Sequence, residues 1–171
     1  MYRLIDYTGT LTDNGLELGV IPANLLASEL SVQASIDKQV NLVVGGGADL
    51  RFWNGSGNWN STSSNWATSS GGANQLWNDS FAVFQGAAGV VTVDGAQRFG
   101  GLQFMTDGYQ LVAGTAGELV AVNSPSGYTV IRVDSGKLAT LDVAISGSGT
   151  LAKLDSGTLV LNGNNSYSGG T

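Results

Sequence analysis

From Phe81 onward, apolar residues come in short runs separated by small polar corners. The runs are Phe81–Phe84, Val90–Val93, Leu102–Met105, Tyr109–Val112, Leu119–Val122, Tyr128–Val133, Leu138–Ile145, Leu151–Leu154 and Thr158–Leu161. Between them sit Asp94-Gly95, Gly100-Gly101, Asp107-Gly108, Gly114, Ser126-Gly127, Asp134-Ser135-Gly136, Gly147-Ser148-Gly149 and Asp155-Ser156-Gly157. Gly supplies the positive φ that tight corners require, and Asp or Ser bonds back to the turn backbone. Runs this short, with corners about every 7 to 12 positions, predict many short strands.

The chain before Phe81 is less regular. Pro22-Ala23-Asn24-Leu25-Leu26-Ala27-Ser28-Glu29 is the best helical candidate, with Pro in a first-turn place. The residues after it alternate: Leu30, Val32, Ala34 and Ile36 are apolar, and Ser31, Gln33 and Ser35 separate them. That period of two predicts a strand with one buried face. Asp37-Lys38 breaks the run before Val40-Asn41-Leu42-Val43-Val44. Asp13-Asn14-Gly15, between Leu11 and Leu16, signals a tight turn. Elsewhere Gly is too frequent for helix, since each interior Gly costs about 1 kcal/mol against Ala.

A series of short strands fits a sandwich, a barrel or a solenoid, and an internal echo favours the last. Val133-Asp134-Ser135-Gly136-Lys137-Leu138 recurs further along as Leu154-Asp155-Ser156-Gly157-Thr158-Leu159. A coil of a parallel β-helix is one supersecondary unit stacked on its neighbour, so its corners repeat. A coil of about 20 residues predicts roughly 6 to 8 coils and, at ~4.8 Å per coil, a rod of roughly 30–40 Å. Stacked coils bury a continuous Leu/Val/Ile core, and Asn or Ser ladders pair along the axis.

Composition narrows the chemistry. The 171 residues include 26 Gly but no His and no Cys, and 7 Lys plus Arg face 13 Asp plus Glu for a net charge of −6. Without His or Cys there is no Ser-His-Asp relay, no His-ligated zinc and no thiolate or disulfide chemistry. So acidic a chain is a poor nucleic-acid partner, because Lys and Arg supply phosphate affinity. No apolar run is long enough to span a membrane. The opening Met1-Tyr2-Arg3-Leu4-Ile5-Asp6 lacks the apolar stretch of a signal peptide, so an export signal is expected outside this chain.

The tail from Gly149 to Thr171 closely resembles the passenger-associated transport repeat of bacterial autotransporters. It has the strand ending Leu159-Val160-Leu161, the corner Gly163-Asn164, and then Asn165-Ser166-Tyr167-Ser168-Gly169-Gly170-Thr171. The middle is similar to autotransporter passengers too, in its Trp-studded segment, Val90-Val91-Thr92-Val93 and Gly101-Leu102-Gln103-Phe104. The resemblance implies a right-handed parallel β-helix, exported and presented outside the cell by a C-terminal translocator barrel that lies beyond this chain. It also implies an organisation: 1–44 as the end of a preceding β-helix module, 45–80 as a Trp/Asn/Ser-rich irregular segment, and 81–171 as regular coils. Absence of Cys suits a passenger that crosses an oxidising periplasm unfolded.

Candidate sites are few. Trp53, Trp59, Trp66 and Trp77 stand among Asn, Ser, Thr and Gly, and the stretch 52–78 carries no charge. Aromatic faces beside amides and hydroxyls suit ligand binding, above all of sugars. The structural reading is that the indoles cap an irregular first coil, each N–H reaching a backbone carbonyl. Asp94, Asp107, Asp134 and Asp155 are the carboxylates that stacking could align for glycoside hydrolysis, but each precedes Gly or Ser-Gly, as a turn demands. Gly45-Gly46-Gly47-Ala48-Asp49-Leu50 is a weak, unrepeated match to a calcium nonapeptide. Gly147-Ser148-Gly149-Thr150-Leu151-Ala152 meets the dinucleotide pattern formally, yet strands flank it on both sides. Asn60-Ser61-Thr62, Asn78-Asp79-Ser80 and Asn164-Asn165-Ser166 are sequons of the kind an Asn/Ser-rich chain contains by chance.

The expectation is therefore an all-β, right-handed parallel β-helix serving as a structural passenger stalk at the bacterial cell surface, without enzymatic activity, metal or cofactor. Its expected partners are its own flanking coils and the translocator barrel. Host-surface glycans or proteins, and self-association, are the open classes. The alternatives are an adhesin module centred on the Trp-rich stretch and, third, a polysaccharide-acting hydrolase using Asp pairs.

Overall fold

The computed structural model describes residues 2–20, 30–44, 50–55, 57–124 and 127–171. The helical candidate Pro22–Glu29 and residues 45–49 of the Gly-rich run lie outside them. The chain divides into two compact units, Met1–Ala48 and Asp49–Thr171. Every regular element among the described residues is a strand.

The first unit holds β1 (Tyr2–Asp6), β2 (Leu30–Gln33) and β3 (Gln39–Val44), with β3 central and both pairings antiparallel. The corner at Asp37-Lys38 forms as its sequence suggests: Lys38 takes φ 62° and Gln39 N–H donates to Ile36 C=O at 3.2 Å. Ile36, Val40 and Val43 are buried. Asp13 makes its turn through its side chain, accepting Gly15 N–H at 2.8 Å and Leu16 N–H at 3.1 Å, with no strand on either side.

The second unit coils. Its first level contains β4 (Leu50–Trp53), β5 (Gly57–Trp59), β6 (Trp66–Ala67) and β7 (Asn74–Gln75). Three levels of three strands follow: β8 (Phe81–Phe84), β9 (Val90–Val93) and β10 (Ala96–Phe99); β11 (Gly101–Phe104), β12 (Tyr109–Ala113) and β13 (Glu118–Ala121); β14 (Thr129–Val133), β15 (Leu138–Asp142) and β16 (Ala144–Gly147). β17 (Leu151–Leu154) and β18 (Thr158–Leu161) open a fifth. Each of the three complete levels contributes one strand to each face. One sheet runs β17-β14-β11-β8-β4, with β6 and β7 added antiparallel beyond β4; another runs β18-β15-β12-β9-β5; the third is β10-β13-β16. All level-to-level pairings are parallel, consistent with a β-helix.

Five levels share the first sheet, fewer than the roughly 6 to 8 of a uniform coil. The first unit, antiparallel, adds no coil, and within the second unit the perimeter varies. One turn carries the chain from Phe81 to its partner Gly101, but the next needs the longer stretch from Gly101 to Val130. The turn from Gly57 to Val91 is longer still. Longer corners absorb the difference while strand register is kept.

Parallel register stacks equivalent side chains into columns. Phe84, Phe104 and Val133 form one, and Val91, Leu111, Leu141 and Leu161 another. A third tapers from Phe99 through Ala121 to Gly147. No coil buries its inner face alone, so each level's stability is borrowed from its neighbours. Removing such side chains from water is worth about 25 cal/mol per Å². Ala82, Leu102 and Ile131 make a further column whose next member is Lys153. Its ammonium donates to Leu154 C=O at 2.8 Å and Asp155 C=O at 2.7 Å. Burial pushes this ammonium's pKa down, against the pull of the Asp155 charge.

Candidate functional site

The four tryptophans converge at the β4–β5 end of the coil stack. Trp53 on β4 pairs across the sheet with Trp66 on β6, which brings their rings to 5.1 Å, edge to face. Trp59, from β5 in a second sheet, lies 4.9 Å from Trp66 and 4.8 Å from Trp77. Trp77 reaches the third sheet by donating its indole N–H to Arg98 C=O at 2.9 Å. All three faces therefore meet at one aromatic cluster. Phe84 continues it, 5.6 Å from Trp66, and stacks on Phe104 at 4.9 Å with an interplanar angle of 9°.

Edge-to-face pairs at these separations each add about 0.5–1.5 kcal/mol beyond buried area. Trp59 and Trp66 are fully buried, and Trp53 and Trp77 are 7% and 8% exposed. Only Trp77 follows the expectation that each indole N–H finds a carbonyl. The Nε1 atoms of Trp59 and Trp66 are buried without a hydrogen-bond partner among the described residues. An unsatisfied donor costs about 1–3 kcal/mol, which the aromatic contacts offset.

Beside this cluster lies a cleft of about 340 Å³, walled by the turns at Asn54-Gly55, Ser70-Gly71 and Gln85-Gly86-Ala87, with Trp53 and Tyr109 also lining it. The Tyr109 hydroxyl lies 2.6 Å from Gln85 C=O and 3.0 Å from Ala87 C=O, donating its one proton between them. Burial pushes its phenol pKa up to about 12. Asn54 Nδ2 donates to Gly72 C=O at 3.1 Å and Asn74 Oδ1 at 2.7 Å, tying two of the walls together.

The corner aspartates act between levels more than within their own turns. Asp94 accepts Thr115 N–H at 2.9 Å and is clasped by Asn58 Nδ2, while Asp107 accepts Leu138 N–H from the next level at 2.7 Å. Asp134 accepts Gln103 Nε2 at 3.0 Å, and Asp155 faces Arg132 Nε at 3.4 Å. Asp142 accepts from Gln110 and, at 2.7 Å, from Asn162, which together hold its carboxyl below the usual 3.8. Each corner aspartate stands in a turn-forming motif, but its partner lies about a coil away in sequence, beyond any short pattern. Among the described residues no group of three or more His, Cys, Asp or Glu side chains could hold a metal ion. The dinucleotide-like segment runs from the last residue of β16 into the first two of β17, with no helix after it among the described residues.

The closing segment, 162–171, seats on the level beneath it. Gly163 follows the chain just past β15 so closely that a Cβ on it would stand 2.2 Å from Val143 C=O. Asn165 Oδ1 accepts Ile145 N–H at 2.9 Å, and Ser166 N–H donates to Ile145 C=O at 2.8 Å. Tyr167 packs against the core. Ser168 N–H reaches Gly147 C=O at 2.9 Å, and a Cβ on Gly169 would meet the Gly149 backbone at 2.5 Å. Asn, Tyr and Gly at alternate positions are what this apposition requires: an amide for an edge N–H, a ring for the core, and no side chain where backbones nearly touch.

Comparison with known proteins bears directly on this segment. Residues 151–171 match the passenger-associated-transport-repeat family. The whole chain aligns at 40% identity over 202 residues with a protein of Brucella suis biovar 1 (strain 1330) named Adhesin BmaC autotransporter. The chain spans only 6% of that protein's length. No solved structure matches it. With its closing repeat seated coil on coil and its full length aligned to part of such a protein, the chain is similar throughout to autotransporter passenger sequence, a similarity that implies a place at the cell surface or in the secreted fraction.

Proposed function

We propose that this chain is a structural stretch of the passenger, a right-handed β-helical stalk that holds other parts of the protein away from the cell and draws secretion forward by folding. The antiparallel sheet within residues 1–44 closes a preceding module, the Trp-rich segment 45–80 begins the next, and 81–171 extend it. The single observation that carries this reading is the seating of residues 162–171 on Val143–Thr150, since it leaves each level the template for the one after it. A translocator barrel elsewhere in the full protein is the partner. No chemistry is required of the corner aspartates, whose oxygens hold coils together.

The test is made in the full-length protein. Residues 158–171 are replaced by a Gly/Ser run of equal length, and protease-accessible passenger is measured against total passenger. Display falling several-fold at unchanged expression is the expected result; display at the unmodified level refutes the stalk role.

A second reading, adhesion, is favoured by the name of the Brucella relative. The four indoles pack mainly on one another, so an adhesive surface on this chain lies beside the cluster rather than on it.

A further inference from the structure

We propose that the cleft beside Trp53 binds a single neutral saccharide ring. The site rests on the adhesive reading and gives it a ligand class. At about 340 Å³ the cleft falls within the range of small-molecule sites. Among the described residues no charged side chain lines it, so it offers nothing to offset the desolvation of an ionic ligand.

Its polar groups divide in two. The Asn54 amide and Tyr109 hydroxyl are committed to the walls and hold them in place. The side-chain amide of Gln85 and the hydroxyl of Ser70 have no hydrogen-bond partner among the described residues and are available to a ligand. Trp53, fixed against Trp66 and Phe84, adds a rigid apolar strip that ligand binding need not order. A pyranose carries apolar C–H faces and hydroxyls that both donate and accept, which is the complement of this wall. Access is open at Gly71 and Gly86, where a Cβ would meet no atom within 4 Å.

Gly86→Asn uses that opening. Asn tolerates the positive φ of 73° found there and sets an amide in free space at the cleft wall. The purified chain and this variant are titrated with glucose, galactose, mannose and N-acetylglucosamine, with sialic acid as the anionic control, by Trp fluorescence and amide NMR. Saturable binding of a neutral sugar by the native chain, weakened at least tenfold in Gly86→Asn at unchanged melting temperature, supports the site. Loss of binding in a Gln85→Ala/Ser70→Ala double variant gives the same support should Gly86→Asn fold poorly.

No saturable response to any neutral sugar up to about 100 mM, a hundredfold above a Kd of about 1 mM, overturns the proposal. So does binding that both variants retain, or sialic acid bound as well as the neutral sugars. Immobilised host-cell matrix proteins are probed in parallel. A chain that binds them while ignoring sugars keeps the adhesive reading and removes the cleft from it.

Discussion

Asn165 reaches back one level to take the amide of Ile145 into a 2.9 Å hydrogen bond. Ile145 lies on β16, at the edge of its sheet, so this amide depends on a side chain where central strands use backbone. Asn165→Ala leaves the N–H unpaired and should cost about 1–3 kcal/mol, read as a lower urea midpoint. Asn165→Asp keeps an acceptor oxygen and should recover most of the loss at neutral pH.

Backbone contact between levels predicts opposite outcomes for two glycines of unremarkable φ. Gly163→Ala drives a methyl group toward Val143 C=O and should destabilise by about 1–3 kcal/mol, as overpacking does. At Gly89 a Cβ meets nothing within 4 Å, so Gly89→Ala should be neutral or stabilise by a few tenths of a kcal/mol through the unfolded chain. Thermal melts of both variants compare the two positions directly.

Burial ranks two charge insertions in one core. Leu141 is fully buried, with partner strands on both sides, whereas Leu159 is partly buried on the edge strand β18. Leu141→Asp should prevent cooperative unfolding by circular dichroism. Leu159→Asp should keep a cooperative transition and lose no more than about 3 kcal/mol. Equal effects would mean that β18 is not the open edge it is here.

Tyr109 makes alkaline stability a readable quantity. Its phenol is raised from 10.0 to about 12 by burial. The folded state therefore holds its proton more tightly than the unfolded chain. Its contribution is intact below pH 10 and is lost as pH climbs from 10 to about 12. The loss should be roughly 1–3 kcal/mol. Tyr109→Phe should flatten that limb of a plot of melting temperature against pH, while lowering the neutral plateau by about 1 kcal/mol.

Asp142 sets the opposite sign at the acid end. Gln110 first, and Asn162 second, hold its pKa below 3.8, so its contribution is present above the unfolded value and lost as pH falls through the folded one. As pH falls below the unfolded value, Asp142→Asn should melt with a shallower decline than the native chain.

These relationships were unequally legible in the sequence. Strands β8, β9, β17 and β18 fall where the apolar runs place them, because Gly- or Asp-bearing corners punctuate them. β10 was hidden, since Ala96-Gln97-Arg98-Phe99 is too polar to read as a run. Leu138–Ile145 reads as one run but forms two strands, β15 and β16, with a corner between them.

The internal echo misstates the pairing. It aligns Val133 with Leu154 and Leu138 with Leu159, whereas the sheets set Arg132 opposite Leu154 and Leu138 opposite Thr158. The slip is one position in each case, and in opposite directions. The two Asp-Ser-Gly corners share residues but not backbone. In the first, Gly136 takes the positive φ of 70°; in the second Asp155 does, at 65°, and Gly157 instead abuts Asp134 C=O. The echo reports turn chemistry, while register is set by the columns of inward side chains. Likewise, the four tryptophans follow no period, so nothing in their spacing says that they turn inward on one another.

Unequal coil perimeters have a consequence for how such a protein diversifies. Neighbouring strands in a sheet sit about 4.7–4.9 Å apart however much chain the turn between them consumes. The molecule therefore counts its height in turns of the coil, and residues added at a corner change its silhouette without changing its reach. The long path from Gly57 to Val91 and the short one from Val90 to Gln110 each advance one step. Mutation can thus rewrite the outward contour, loop by loop, in a coil stack of constant gauge.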